Sequence, residues 1–255
     1  MRRVPPLPYK DFYYPLNVFM HILTHEEGGV RYLHYGLFTH PDERIADAQE
    51  RSTELLLARL PPPPARLLDV GVGLGTTLAR LVDLGYDATG ITPDQKQVAM
   101  LPGLPVECIR FEDYPPSSFD AIVFQESSQY IESNALFSRA HELTPRVIVL
   151  DEFSLRPIDA PGALHSFAAF LDTASRHDFR LIEEVDLSAQ AAPTIDYFNA
   201  RLARFRERLI RDLGITNEQV NHLIDNGVRY RELYRDGTYG YRLLRFYRAD
   251  EAVRT

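Results

Sequence analysis

The sequence predicts an α/β fold in which helices flank a mostly parallel sheet of seven strands, with a helical cap before the sheet and a helical insertion ahead of its last strand. Two observations lead to this prediction. Short apolar runs alternate with segments of helical periodicity through the middle of the chain, which is the pattern of a parallel sheet. The first of these runs ends in a glycine-rich turn, and a helical pattern begins directly after the turn. This succession is typical of a buried strand in a parallel sheet.

The N-terminal segment, residues 1–60, is predicted to form a helical and aromatic cap. Apolar residues recur at helical spacing over residues 44–60. Four consecutive prolines at 61–64 end that helix, because proline cannot continue a helix and favours a stiff, extended chain. We therefore divide the chain into a cap at residues 1–60 and a core at residues 61–255.

The core is predicted to contain strands at residues 66–70, 88–91, 106–110, 119–124, 146–150, 179–186 and 239–247. The helix after the second strand is placed at residues 94–101. The insertion, residues 194–236, separates the last two strands and shows helical patterns over 195–213 and 217–234. Between these two helices, Gly214 fits a C-cap and Thr216 an N-cap.

Length and composition limit the classes of protein that remain. With 255 residues and 45% hydrophobic residues, the chain can fill the core of one large domain. Cys108 is the only cysteine, so neither an intramolecular disulfide nor a cysteine metal cage can form. No apolar run reaches the roughly 20 residues of a membrane span, and the first residues lack a signal-peptide pattern. We expect a cytoplasmic protein without stable membrane association.

The net charge of −8 argues against binding to nucleic acid, which calls for a basic surface. The arginine-rich segment 201–211 is better explained as an exposed helix face, since a glutamate and apolar residues are interleaved with its arginines. A homodimer is compatible with the sequence, which does not indicate one.

The glycine-rich turn is the strongest sign of a ligand site. Glycine is needed where the backbone adopts unusual angles or where a Cβ would block a close approach. The spacing of Gly71, Gly73 and Gly75 is G-x-G-x-G, which is neither the dinucleotide fingerprint nor a P-loop. Asp69 precedes the turn, and a carboxylate there would repel a pyrophosphate but suit a ligand that carries an ammonium group. A turn without a ligand and a nicotinamide site remain as alternatives.

The run Leu-Leu-Asp-Val-Gly-x-Gly-x-Gly at residues 67–75 resembles the first motif of class I S-adenosylmethionine (SAM)-dependent methyltransferases, which have a Rossmann-like fold. The resemblance implies SAM as the cofactor and S-adenosylhomocysteine as its product. It also implies that the cofactor is held at the turn by Asp69, Gly71, Gly73, Gly75 and Thr76.

Later segments resemble the same family in the same order. Residues 90–97 are similar to the segment after the second strand in the branch that contains cyclopropane-fatty-acid synthases and many small-molecule methyltransferases. There, a threonine and a glutamine hold SAM, which implies these roles for Thr92 and Gln97. Phe111 and Glu112 match the step after the third strand, where an aromatic ring covers the adenine and an acid accepts from its amino group. Gln125, at the end of the fourth strand, is also assigned to the cofactor.

Three residues are candidates for catalysis. In lipid-modifying relatives the motif after the fourth strand often ends in Glu-His, but here Gln129 and Tyr130 stand at these positions. Glu126 lies in the same motif and is expected either to act as a general base, to hold a cationic acceptor, or to organise the backbone. Tyr130 is placed at the mouth of the acceptor pocket.

Residues 31–38 of the cap resemble a segment that closes over SAM in this branch. Tyr35 matches the tyrosine that reaches the methionine end of the cofactor. His34 is expected to be either a base or substrate contact, or a buried, hydrogen-bonded histidine.

We predict no metal site. His21 and His25 have helical i, i+4 spacing and Glu26 is adjacent, but the H-E-x-x-H order of zinc proteases is absent.

The sequence therefore predicts methyl transfer from SAM to a small-molecule metabolite, with an oxygen, nitrogen or carbon acceptor, enclosed by the cap and the insertion. Two alternatives come from other classes: a cyclopropane-synthase-like enzyme that modifies lipids, and a SAM-binding regulatory protein without catalysis. The negative charge and Tyr130 count against the lipid enzyme.

Overall fold

The computed structural model describes residues 12–158 and 164–250. The first eleven residues of the predicted cap lie outside this part. The described chain forms two compact units, which we call the helical unit (residues 12–51 and 189–236) and the sheet unit (residues 52–188 and 237–250). The insertion thus groups with the N-terminal segment in the helical unit. The division of the chain into a cap at residues 1–60 and a core at residues 61–255 stays a prediction.

Seven strands form one sheet in the order β3-β2-β1-β4-β5-β7-β6. They are β1 (Arg66–Val70), β2 (Asp87–Thr92), β3 (Val106–Cys108), β4 (Ala121–Gln125), β5 (Arg146–Ser154), β6 (Phe179–Asp186) and β7 (Tyr239–Arg248). Strand β7 runs antiparallel to β5 and β6, and the remaining pairs are parallel. The predicted seven-stranded, mostly parallel sheet is therefore confirmed.

Nine α-helices connect or flank these strands within the described residues. They are α1 (Leu16–Glu27), α2 (Ile45–Leu57), α3 (Thr76–Asp83), α4 (Gln95–Ala99), α5 (Ser133–Leu143), α6 (Phe167–Arg176), α7 (Ser188–Ala191), α8 (Pro193–Leu213) and α9 (Asn217–Arg235). Helices α8 and α9 stand between β6 and β7, which confirms the helical insertion. Among the described residues, no helix has both the length and the apolar character needed to cross a membrane.

Element boundaries differ from the prediction where a side chain or a partner strand decides them. Strand β5 continues four residues beyond the predicted end at 150, since β7 pairs with it as far as Ser154. Helix α4 begins after Asp94 instead of at it, because the Asp94 carboxylate caps the helix and accepts from the Lys96 N–H at 2.8 Å. Strand β3 ends early, at Cys108.

Strands β1 and β4 lie in the middle of the sheet, and their side chains are buried on both faces. Aromatic and aliphatic side chains from these strands and from the flanking helices form one core, which includes Leu68, Phe124, Phe137, Val149 and Phe246. The core holds the central strands in place, so the turns that follow them start from fixed positions.

The helical unit has its own apolar core, to which α1, α8 and α9 contribute Val18, Ile22, Leu202, Leu209 and Val220. The two predicted caps between α8 and α9 are confirmed. Gly214 is left-handed, with φ of 69°, and Thr216 forms a capping box with Gln219.

Replacing Thr216 with alanine removes the hydroxyl that accepts from the Gln219 N–H at 3.1 Å. We expect the free energy of unfolding to fall by about 1 kcal/mol, because the first turn of α9 loses a hydrogen-bond acceptor. Urea denaturation measures the loss. Thr216→Ser keeps the hydroxyl and serves as the control; an equal loss in both variants would show that the cap is not the cause.

Candidate functional site

The carboxyl ends of the central strands bring two turns side by side in the sheet unit. Val70 pairs with Phe124 in the parallel register of β1 and β4, so the turn after β1 lies beside the turn after β4. The strand order also reverses at β1. Strands β2 and β3 lie on one side of β1, whereas β4 and β5 lie on its other side. Open α/β sheets bind ligands at such a reversal, outside the carboxyl ends of the strands.

The glycine turn after β1 has a left-handed backbone at three positions. The φ angles of Gly71, Gly73 and Gly75 are 80°, 51° and 69°, values that glycine adopts without strain. The Gly71 N–H donates to the Ile91 carbonyl at 2.9 Å, which fastens the turn to the end of β2. Helix α3 begins directly after it at Thr76, so the first N–H groups of the helix are directed toward the same place.

The three glycines differ in what surrounds them. A Cβ on Gly71 would lie 2.5 Å from the Ser127 Cβ, and one on Gly75 would lie 2.8 Å from a methyl carbon of Leu101. Packing therefore requires glycine at position 71, where the neighbouring atom is a Cβ. At position 75 the neighbouring atoms are the ends of leucine side chains, and it is the left-handed φ of 69° that favours glycine. A Cβ on Gly73 would meet nothing nearer than the Gly71 carbonyl oxygen at 4.0 Å. Gly73 therefore faces open space, which leaves room for a ligand against the backbone.

Asp69 lies on β1 just before the turn and is almost fully buried, with 3% of its surface exposed. Its Oδ2 atom has no hydrogen-bond partner among the described residues. Burial raises the pKa of this carboxyl to about 7. An unpartnered buried carboxylate oxygen is costly, so this position suits a ligand that brings a donor or a positive charge.

Thr92 and Gln97, which the resemblance assigns to the cofactor, are in direct contact. The Thr92 hydroxyl donates to the Gln97 amide oxygen at 2.7 Å, and it accepts from the Asp94 N–H at 3.2 Å. Thr92 is buried at the end of β2. Its hydrogen bond to Gln97 therefore holds the Gln97 side chain near Ile91, the β2 residue that accepts from the Gly71 N–H.

Phe111 and Glu112 lie in a short 3-10 helix after β3. The Phe111 ring is only 2% exposed and packs edge-on against Phe124 with centroids 5.2 Å apart, so in this structure it belongs to the core. The Glu112 carboxylate lies 3.3 Å from the Arg110 guanidinium. The contacts of both residues with a cofactor stay predictions.

Gln125 ends β4 and links it to two other elements of the sheet unit. Its amide oxygen accepts from the Thr77 hydroxyl at 2.8 Å, and its amide nitrogen donates to the Thr53 hydroxyl at 3.3 Å. Because Thr77 is the second residue of α3, this hydrogen bond joins the start of the helix to the end of β4.

Glu126 has a left-handed backbone with φ of 55°, which is uncommon for a residue with a side chain. Such strain persists only where the surroundings hold it, and it is frequent at functional sites. Its N–H donates to the Leu150 carbonyl at 2.8 Å. The Tyr241 hydroxyl donates to the Glu126 Oε1 at 2.6 Å. Burial and the neighbouring Glu126 charge hold the pKa of Tyr241 well above its usual value, so it remains a donor.

Asp151, a buried residue of β5, forms hydrogen bonds with Ser128 in the turn after β4. Its Oδ2 accepts from the Ser128 N–H at 2.9 Å and from the Ser128 hydroxyl at 2.6 Å. Burial raises the pKa of this carboxyl to about 6. Tyr130, which follows, is 78% exposed. Its place at the mouth of an acceptor pocket and its catalytic role stay predictions.

His34 and Tyr35 belong to the helical unit. His34 is buried, and its Nδ1 lies 2.9 Å from the Tyr35 carbonyl oxygen, a distance at which the ring donates a hydrogen bond. Burial lowers the pKa of His34 to about 4, which makes the imidazole a weak base at neutral pH. The Tyr35 ring stacks on Tyr234 with centroids 6.4 Å apart.

Two of the residues that shape this edge were not among the predicted site residues. Tyr241 and Ser127 lie in segments that the sequence analysis located, but no local pattern indicates that Tyr241 reaches Glu126 across 115 residues of chain. The alternating pattern of β7 was the single available signal, and it does not say which face points to the site.

Comparison with known proteins gives a likeness of fold. No family model and no curated protein matches this chain. A putative sarcosine dimethylglycine methyltransferase from Galdieria sulphuraria is 17% identical, with a TM-score of 0.76 over 90% of this chain and 98% of that one. A cyclopropane synthase from Mycobacterium tuberculosis is 18% identical, with a TM-score of 0.73 over 85% of this chain and 90% of that one.

A geranyl diphosphate C-methyltransferase from Streptomyces coelicolor A3(2), solved with Mg²⁺, geranyl diphosphate and S-adenosylhomocysteine, is 17% identical. Its TM-score is 0.64 over 95% of this chain and 99% of that one. The coverage in each case extends over nearly the whole of the known structure. The chain therefore has the Rossmann-like fold of class I SAM-dependent methyltransferases.

Proposed function

We propose that this protein transfers a methyl group from SAM to a small organic molecule and releases S-adenosylhomocysteine. The observation that supports it most is the pairing of open space at Gly73 with the unpartnered, buried Oδ2 of Asp69. SAM carries both a carboxylate and an ammonium group, so it offers one group to backbone N–H donors and the other to a carboxylate. A pyrophosphate-containing cofactor would place negative charge near Asp69.

In this proposal, different residues at the carboxyl edge of the sheet bind different parts of the cofactor. The glycine turn and the first N–H groups of α3 bind the carboxylate of SAM. Asp69 attracts the ammonium group. Thr92 and Gln97, already joined by a hydrogen bond, contact the ribose, and Glu112 accepts from the adenine amino group. SAM supplies an electrophilic methyl group on a sulfonium centre.

Glu126 and Tyr241 suit the acceptor side of the reaction. The strained backbone at Glu126 and the 2.6 Å hydrogen bond from Tyr241 hold this carboxylate at the end of β4. A fixed carboxylate favours a polar or cationic acceptor, either as a base or as its partner, over the hydrocarbon chain of a lipid. Oxygen, nitrogen and carbon acceptors all fit this description.

The decisive test is calorimetric titration of the protein with SAM, S-adenosylhomocysteine and NADH. We expect one site for each adenosyl ligand and none for NADH. Gly73→Ala should weaken both adenosyl ligands at least tenfold, because its Cβ would fill the space that a ligand approaches. Saturable binding of NADH alone would contradict the proposal.

Gly85→Ala is the matched control. Gly85 lies at the opposite end of α3, has a left-handed φ of 87° and also faces open space. Alanine at either glycine strains the backbone by about 1–2 kcal/mol, so the loss of stability is similar in both variants. Only Gly73→Ala should change the affinity for SAM. Equal affinities of the two variants for SAM would show that the glycine turn is not part of the cofactor site.

A further inference from the structure

Helices α1 and α8 of the helical unit bring two histidines and an aspartate together. His21 and His25 are one helical turn apart on α1, with ring centroids 4.4 Å apart. Asp212, 191 residues after His21, lies on α8, and its Oδ2 is 3.2 Å from the His21 Nε2. One ligand atom from each of the three side chains lies within 4.8 Å of the other two.

The cluster is shielded on one side and incompletely satisfied. His21 is fully buried, and the Phe205 ring packs against both imidazoles at centroid distances of 6.3 and 6.2 Å. The His25 Nε2 is buried and has no hydrogen-bond partner among the described residues. A buried imidazole nitrogen close to a carboxylate oxygen is a ligand atom placed where a cation would satisfy it.

Two arginines share Asp212, and they leave it able to bind a cation. Arg211 lies 3.0 Å from Oδ1, whereas the contact with His21 is made by Oδ2, so Arg211 can remain in place. Arg208 lies 3.5 Å from Oδ2, and its side chain is 45% exposed, so it can move into solvent when a cation takes that oxygen. An exposed ion pair of this kind contributes little to stability.

We propose that His21, His25 and Asp212 form a binding site for a divalent transition-metal ion such as Zn²⁺. Two imidazoles and one carboxylate are a ligand set that such ions prefer, and a tetrahedral ion completes it with one water molecule. The bound ion ties α1 to α8. The local sequence pattern does not reveal the site, because its third ligand comes from a distant helix.

The test uses the full chain, purified without a polyhistidine tag, treated with a chelator and titrated with Zn²⁺ or Co²⁺ alone. We expect one equivalent of either ion to bind, with the visible absorption of tetrahedral Co²⁺. Zn²⁺ should also raise the melting temperature by several degrees, since the ion binds only the folded site.

His25→Ala should weaken Co²⁺ binding by about 100-fold or more and abolish the Zn²⁺-dependent melting shift. His25→Gln repeats the test with a side chain of similar length should the alanine variant fail to fold. His222→Ala is the matched control in the same unit, since His222 is exposed on α9 and contacts Asn226. Binding that survives both His25 variants, or that is lost with His222, would overturn the proposal, as would the absence of binding to the unaltered protein.

Discussion

Asp69→Asn should make the ligand-free protein more stable at about pH 8 while strongly weakening its affinity for SAM. Burial raises the pKa of Asp69 from 3.8 to about 7 in the folded protein. The folded state therefore keeps this proton over a range in which the unfolded chain has lost it. The contribution of Asp69 to the free energy of unfolding is fully present below its unfolded pKa. That contribution is lost as the pH rises through the folded pKa, which leaves a penalty above it.

The size of the effect follows from that difference in pKa. Each unit corresponds to about 1.4 kcal/mol, so the penalty at about pH 8 is on the order of 4 kcal/mol. Asparagine has no charge to bury, so the Asp69→Asn variant should not lose this stability at about pH 8. Urea denaturation at about pH 5 and pH 8 measures the gain, which we expect to be larger at the higher pH.

Asp151 also has a raised pKa, so the pH dependence of the unaltered protein reflects both carboxyls. Only the difference between it and Asp69→Asn isolates Asp69. Asp87→Asn, an exposed position on β2, is the control and should change stability little at either pH. A gain for Asp69→Asn that does not grow with pH would show that a buried charge is not its source.

SAM binding should oppose this penalty. In the proposed site, the ammonium group of SAM pairs with ionised Asp69, so binding below about pH 7 releases a proton and the affinity rises with pH. Calorimetry in two buffers of different ionisation enthalpy detects that proton. For Asp69→Asn, we expect weak binding without proton release. Unchanged binding by this variant would refute the pairing and leave the raised pKa without a functional reason.

The sequence predicts the fold well because the information it needs is local. A buried strand, a left-handed glycine turn and an amphipathic helix each leave a pattern within about twenty residues. Gly214 and Thr216, for example, identify the junction of α8 and α9 through capping chemistry alone. Thr92 and Gln97 were assigned to the cofactor for the same reason, since both lie in one short segment, and the structure adds the hydrogen bond between them.

The parts that could not be predicted depend on pairs that are distant in the chain. Tyr241 reaches Glu126 because β7 inserts antiparallel between β5 and β6, and a single sequence does not specify that pairing. Apolar residues lie on both faces of β7, so alternation does not reveal which face points toward the site. Asp212 reaches His21 only through the packing of two helices.

Gly71→Ala should be among the most destabilising single changes in the sheet unit. The new Cβ would lie 2.5 Å from the Ser127 Cβ, and alanine would have to adopt a φ of 80°. Backbone strain contributes about 1–2 kcal/mol and overpacking about 1–3 kcal/mol. We therefore expect a loss of about 2–5 kcal/mol in urea denaturation and, because the turn moves, weaker binding of SAM.

Combining Gly71→Ala with Ser127→Gly separates these two causes. Removal of the Ser127 Cβ relieves the clash but leaves the strained φ, so the double variant should recover the overpacking part of the loss and some affinity for SAM. Ser127→Ala is the control, since it keeps the Cβ and loses only the hydroxyl that donates to the Val70 carbonyl at 2.5 Å. Strict additivity in this double-mutant cycle would mean that the two turns do not touch. A coupling of 1 kcal/mol or more, on the order of that seen between residues in contact, would show that the turn after β4 sets the shape of the glycine turn.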